Sequence, residues 1–248
     1  LLLAVSSAFF VGLNNVLTRK ALDSTCIGQA MLVSLGVATS IFLLINVALG
    51  KIPLFFVPGA LLFLLAGSFG PGIGRTFNVI SAKRIGVSRT IPITGTAPFF
   101  GTILAILFLG EQYSAYIFLG MAFIIFGIFV LSRRKENGKR VFDKKDLLFP
   151  LASAVFGGVF TVISKVAIDI VGDPIVGVAL TLGAALFVAL GYVIGTRRFY
   201  HFKILHKDSM FPALGGFAMA SAFFLNFSAL QIGSVSVVAP VFSTFPLF

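Results

Sequence analysis

The chain of 248 residues is 58% hydrophobic and 11% charged, with a mean hydropathy of +1.07, whereas a soluble domain carries about 25% charged residues. That composition excludes a water-soluble globule. The net charge of +11 falls in short loops between apolar runs, where basic residues set membrane orientation, so it does not indicate nucleic acid.

Apolar runs between charged or Gly/Pro punctuation predict nine membrane spans, at 2–18, 27–49, 55–81, 87–109, 113–131, 147–168, 174–195, 210–231 and from 234 onward. A β-barrel would need polar residues at alternate positions. The window AYIFLGMAFIIFGIFVL at 115–131 has none of that alternation. The expected class is therefore an all-α, multi-pass integral membrane protein. Cys26 is the single cysteine and excludes a disulfide framework.

The longest polar segment, 132–146, is a basic linker that divides the chain into 1–131 and 147–248. Arg19, Lys20, Lys83, Arg84 and Arg89, seven basic residues in 133–145, and Arg197, Arg198, Lys203 and Lys207 all lie in odd-numbered connections. The even-numbered connections hold Lys51 and Lys165, and Arg75 lies inside a span. The positive-inside rule then places the odd connections in the cytoplasm, in a cell (inner) membrane.

The two halves are related. SAFFVGLNNVLTRKALD at 7–23 and SAVFGGVFTVISKVAID at 153–169 share seven of 17 positions at an offset of 146. GVSRTIPITGTAPFF at 86–100 and SVSVVAPVFSTFPLF at 234–248 share six of 15 at an offset of 148, including Pro92/Pro240, Thr96/Thr244 and Pro98/Pro246. A unit of five spans crosses an odd number of times, so the second copy is expected to be inverted. Inverted repeats are an architecture of alternating-access transporters, with substrate held at mid-membrane between the copies. The same offset places the counterpart of 101–131 at positions 249–279, so a tenth span is expected beyond these residues.

GLNNVLTRKAL at 12–22, ISAKRIGVSRTIPITGTAPFF at 80–100, and Gly110-Glu111 followed by an apolar helix with Gly120 and Gly127 resemble the ten-helix members of the drug/metabolite transporter superfamily, built from two EamA-type domains. The resemblance implies a basket of ten helices around a central cavity, and a carrier of metabolites, amino acids, organic anions, phosphorylated or nucleotide-linked sugars, or drugs. It does not extend to the small four-helix cation exporters, which carry a Glu in helix 1 where this chain offers Asn14 and Asn15.

Several residues are candidates to line a pathway. Pro92 and Pro240 remove hydrogen-bond donors within the fourth and ninth spans, which predicts broken or bent helices, with Thr96 and Thr244 four residues on along the same face. Asn14 and Thr18 form a polar stripe on the first helix, and Thr161 and Ser164 mark the comparable end of the sixth. Asn78 and Asn226 match between repeats. Buried amides and hydroxyls need partners, so each residue faces either another helix or a wet cavity.

Arg75 lies eight residues before Lys83, about 12 Å along a helix. It has no repeat counterpart, since position 223 is Phe. An unpaired lipid-facing Arg costs a few kcal/mol, which favours binding of a carboxylate or phosphate; snorkelling and helix-end contacts are the alternatives. Arg75, Lys83 and Arg84 together also fit a phosphate-ester or nucleotide-sugar exchanger. Gly110 and Glu111 are expected to form a tight turn in which Glu111 caps the fifth helix. No carboxylate lies at mid-span to carry a proton. Neither an enzyme's nucleophile, base or metal set nor any cofactor is implied; the expected partners are a small-molecule substrate and the bilayer.

Overall fold

The computed structural model describes residues 1–21, 25–111, 115–132, 143–195 and 209–245. Their helices are α1 (Leu2–Ala21), α2 (Ile27–Ala48), α3 (Ala60–Gly67), α4 (Arg75–Ile85), α5 (Val87–Thr94), α6 (Ala97–Leu109), α7 (Ala115–Ser132), α8 (Leu148–Val171), α9 (Pro174–Gly195), α10 (Met210–Ile232) and α11 (Val235–Phe242). Seven helices among the described residues are long and apolar enough to cross a membrane, and α7 and α11 stand at the other two expected spans. Most of the linker, together with Asp23 and Pro246, lies outside the described residues.

Two spans depart from simple helices. The third begins later than hydropathy implied, because Ile52–Phe56 forms a 3-10 turn with Pro53 near its start. Its centre, Ser68–Gly74, is a π-helix joining α3 to α4. Pro71 supplies no N–H within it, and a wide turn is where a helix absorbs such a loss. The fourth span breaks at Gly95-Thr96 into α5 and α6, as the proline spacing predicted.

Close packing rests on small residues. A Cβ at Gly67 would overlap the Thr181 carbonyl, and one at Gly216 would lie 2.5 Å from the Ser34 carbonyl. These contacts bring α3 onto α9 and α10 onto α2. The buried core is made of Phe63, Phe227, Leu35, Leu182, Leu230 and many alanines. Outward faces such as Tyr116, Phe123 and Phe126 on α7 and Phe108 on α6 are exposed large hydrophobics, which suits a lipid surround.

The packed pairs have an internal logic. α1 lies along α10, and α8 lies along the third span; α2 packs on α10, and α9 on α3; α1 touches α11, and α8 packs on α6. Exchanging spans one to four with spans six to nine maps these pairs onto one another, and α2 with α9 and α6 with α11 pack on their own counterparts, whereas the packing of α10 on α8 and α9 has no equal, among the described residues, between span three and α1 or α2.

Candidate functional site

The polar stripe of α1 meets backbone. Ser7 Oγ donates to the Ala222 carbonyl at 2.7 Å, and Asn14 Nδ2 to the Gly215 carbonyl at 2.6 Å. Both residues are buried, so in this conformation their polar atoms join α1 to α10. Thr18 is half-buried beside Gly215, its Oγ1 3.9 Å from where a Cβ would stand. In the other half, Ser153 Oγ donates to the Gly74 carbonyl at 2.8 Å. Ser7 and Ser153 are the matched serines at offset 146, while Gly74 and Ala222 are 148 apart. The same bond is thus made twice between the halves, once in each direction.

The helix breaks repeat in the same way. Gly95 N–H donates to Ile91 at 2.8 Å and Thr96 N–H to Ile93 at 3.1 Å; Ser243 N–H donates to Ala239 at 3.1 Å and Thr244 N–H to Val241 at 3.1 Å. The Thr96 and Thr244 hydroxyls each donate 2.7 Å back to the carbonyl three residues earlier. Pro92 is half-buried and Pro240 is buried. A break of this kind is tolerated at membrane depth where protein or water satisfies the freed groups.

On α8, Thr161 Oγ1 donates to Gly157 O at 3.0 Å. Ser164 Oγ is buried with no partner among the described residues. Lys165 Nζ, next to it, donates to Asp169 Oδ1 and to the Leu230 carbonyl, both at 2.9 Å.

Arg75 is the first residue of α4, directly after the π-helix. An inserted residue turns the following side chains by about 100° relative to a continuous α-helix. The guanidinium points across to α10, where Nη1 lies 2.9 Å from Met219 Sδ. Span three and α10 touch chiefly through side chains, Arg75 on Met219 at one level and Phe63 against Phe227, ring centroids 5.5 Å apart, at another. A thioether is a weak acceptor, and among the described residues no carboxylate pairs with Arg75. Asn78, one turn on, is half-buried and has no hydrogen-bond partner among the described residues. Asn226 is likewise without one and only 3% exposed. Ser7, Asn14 and Arg75 therefore converge on the 215–222 stretch of α10, while the Pro92/Thr96 and Pro240/Thr244 breaks make no described contact with Arg75.

Glu111 has a partner that the sequence did not indicate. The N–H of Glu111 turns back to the Ala105 carbonyl at 3.4 Å, with Gly110 left-handed at φ 66°. Oε1 accepts from Val235 N at 2.7 Å and Oε2 from Ser236 N at 3.0 Å, so Glu111 caps α11; residues 112–114, where the fifth helix would be capped, lie outside the described residues. The first N–H groups of α11 lack intrahelical partners and attract an anion. At the cytoplasmic-loop side of the sequence reading, Arg84 Nη1 is held by Asp146 Oδ1 at 2.7 Å and its guanidinium lies over the Phe149 ring.

Two features escaped sequence reasoning. One is the π-helix, signalled by Gly70-Pro71-Gly72 and Gly74 within an apolar run. The other is Met219, an ordinary apolar residue until Arg75 reaches it.

This is a multi-pass α-helical membrane protein. Residues 1–133 match the EamA-like transporter family, and the chain belongs to that family, whose members carry small molecules across membranes. A solved structure described only as the crystal structure of a protein superposes with a TM-score of 0.80 at 15% identity, over 99% of this chain and 84% of its own. That likeness concerns the fold. No curated protein matches the sequence.

Proposed function

We propose that this protein is a secondary transporter of small organic anions, working by alternating access between two five-helix repeats, 1–131 and 147–248, inverted about the linker 132–146. Arg75 receives the anionic group. The paired serine bonds, the twin breaks at Thr96 and Thr244 and the exchange of packed pairs support the inverted repeat. Odd-numbered connections then face the cytoplasm.

The observation that carries the substrate reading is Arg75, which stands inside a span against a thioether with no carboxylate partner among the described residues. A cation there costs a few kcal/mol unless something compensates it, and an arriving carboxylate or phosphate does so. Of the basic residues that suggested a phosphate ester, Arg84 is engaged by Asp146; the carboxylate reading needs only Arg75. Arg75→Ala should abolish anion uptake into liposomes and spare a neutral solute, and unchanged anion uptake would remove Arg75 from the site.

A further inference from the structure

We propose that the site is two-ended and selects organic anions with an apolar, ring-sized body and no ammonium group. The proposal rests on the transport reading above and names the substrate class of the same site.

Met219, Phe223 and Asn226 stand at i, i+4 and i+7 on α10 and share one face. The opposite face, with Phe217, Ser221 and Phe224, lines a separate apolar cleft of about 400 Å³ against α1 and α2. The Arg75 guanidinium arrives at Met219. One turn further along α10, about 5.4 Å, stands Phe223. Its ring lies 5.8 Å from that of Phe160 and 6.2 Å from that of Phe227. Those two rings are 7% and 0% exposed, so the aromatic wall is fixed by the core behind it.

The repeat makes the polarity legible. At offset 148, Asn78 matches Asn226, but Arg75 matches Phe223. A duplicated site with equal ends would carry the same group at both positions. Here one end carries a cation and the other a ring, with an unbonded carboxamide beside each. Asn226 is nine-tenths buried without a partner among the described residues. That amide is available to supply the site's uncharged hydrogen bond.

The described acids inside the fold are committed elsewhere: Glu111 to the N–H groups of α11, Asp169 to Lys165, Asp173 to Lys51, and Asp146 to Arg84. An ammonium would meet Arg75 with no countercharge. A sugar body would lay hydroxyls against the Phe223 wall and lose their hydration.

The test uses the protein in liposomes with three probes: 3-phenylpropionate, propionate and phenylalanine. Uptake of 3-phenylpropionate should half-saturate at about tenfold lower concentration than either of the others. Phe223→Ser should raise that value about tenfold for 3-phenylpropionate while moving propionate less than about twofold. Phe223→Leu keeps apolar volume and the fold, and should narrow the gap between the two acids about threefold. Equal handling of propionate and 3-phenylpropionate, preference for phenylalanine, or a Phe223→Leu variant with an unchanged gap overturns the two-ended site and leaves anion transport standing. Failure of both acids to enter overturns anion transport itself and this proposal with it.

Discussion

Glu111→Ala tests whether the turn after α6 is tied to α11 as the geometry indicates. The carboxylate serves two of the N–H groups that begin α11, at 2.7 and 3.0 Å, from a half-buried position. Losing a side-chain cap costs about 0.5–2 kcal/mol, and hydrogen bonds to a charged group are worth about 1.5–3 kcal/mol. With two donors released and water able to reach part of the gap, the expected loss is about 2 kcal/mol, read from unfolding in detergent. Glu111→Gln keeps one acceptor oxygen without the charge and should fall between.

A double-mutant cycle isolates the contact. Val235 is the first residue of α11, a position that tolerates proline, and Val235→Pro deletes one donor without breaking the helix. On that background Glu111→Ala should cost at least about 0.5 kcal/mol less than on the wild type. Equal costs on both backgrounds, or no cost at all, would refute the cap. Faster hydrogen exchange at Ser236 N–H in Glu111→Ala gives a local readout of the same bond.

Three further outcomes follow from the packing. Gly67→Ala and Gly216→Ala place a methyl against the Thr181 and Ser34 carbonyls and should each cost about 1–3 kcal/mol in detergent unfolding, whereas Gly120→Ala, with nothing within 4 Å, should be neutral or slightly stabilising. Ser7→Ala and Ser153→Ala should each cost about 0.6 kcal/mol, and the double variant should show their sum in unfolding midpoints, because the two bonds share no partner. Asp173→Ala should destabilise more than Lys51→Ala: Asp173 accepts from the Ile175 and Val176 N–H groups at the start of α9 as well as pairing with Lys51, so it loses a cap of about 1 kcal/mol beyond a partly exposed ion pair.

The spans were legible because hydrocarbon demands long apolar runs whatever their partners. The break in the fourth span was legible because proline forces it locally. The π-helix was not, since residues 60–85 read as one apolar helix by hydropathy and the widening shows only in the hydrogen-bond pattern. For Asn14 the sequence located the polar stripe but left its partner open, because that partner is the carbonyl of Gly215, 201 residues away. Any small residue exposes its backbone in this way, so the acceptor has no residue-type signature. The α11 partner of Glu111 was hidden for a related reason. Its turn suggested a helix cap, and only the tertiary structure decides that the helix capped begins 124 residues later.

The two kinds of position diverge differently. Where the halves hold one another, the acceptors are backbone carbonyls at Gly74 and Ala222, and the donors are matched serines. Such a bond asks only that the acceptor residue be small, so it survives extensive change elsewhere in both copies. Positions 75 and 223 carry no packing bond of that kind: one ends in a guanidinium reaching a sulfur, the other in a ring. Under the proposed duplication, the contacts that fix the inverted frame stay paired, while residues 75 and 223, where span three meets α10 through side chains, are free to differ. A frame that remains symmetric can alternate between two equivalent tilts. A site that has lost its symmetry can prefer one end of a solute over the other, which is what selection of an amphipathic anion requires.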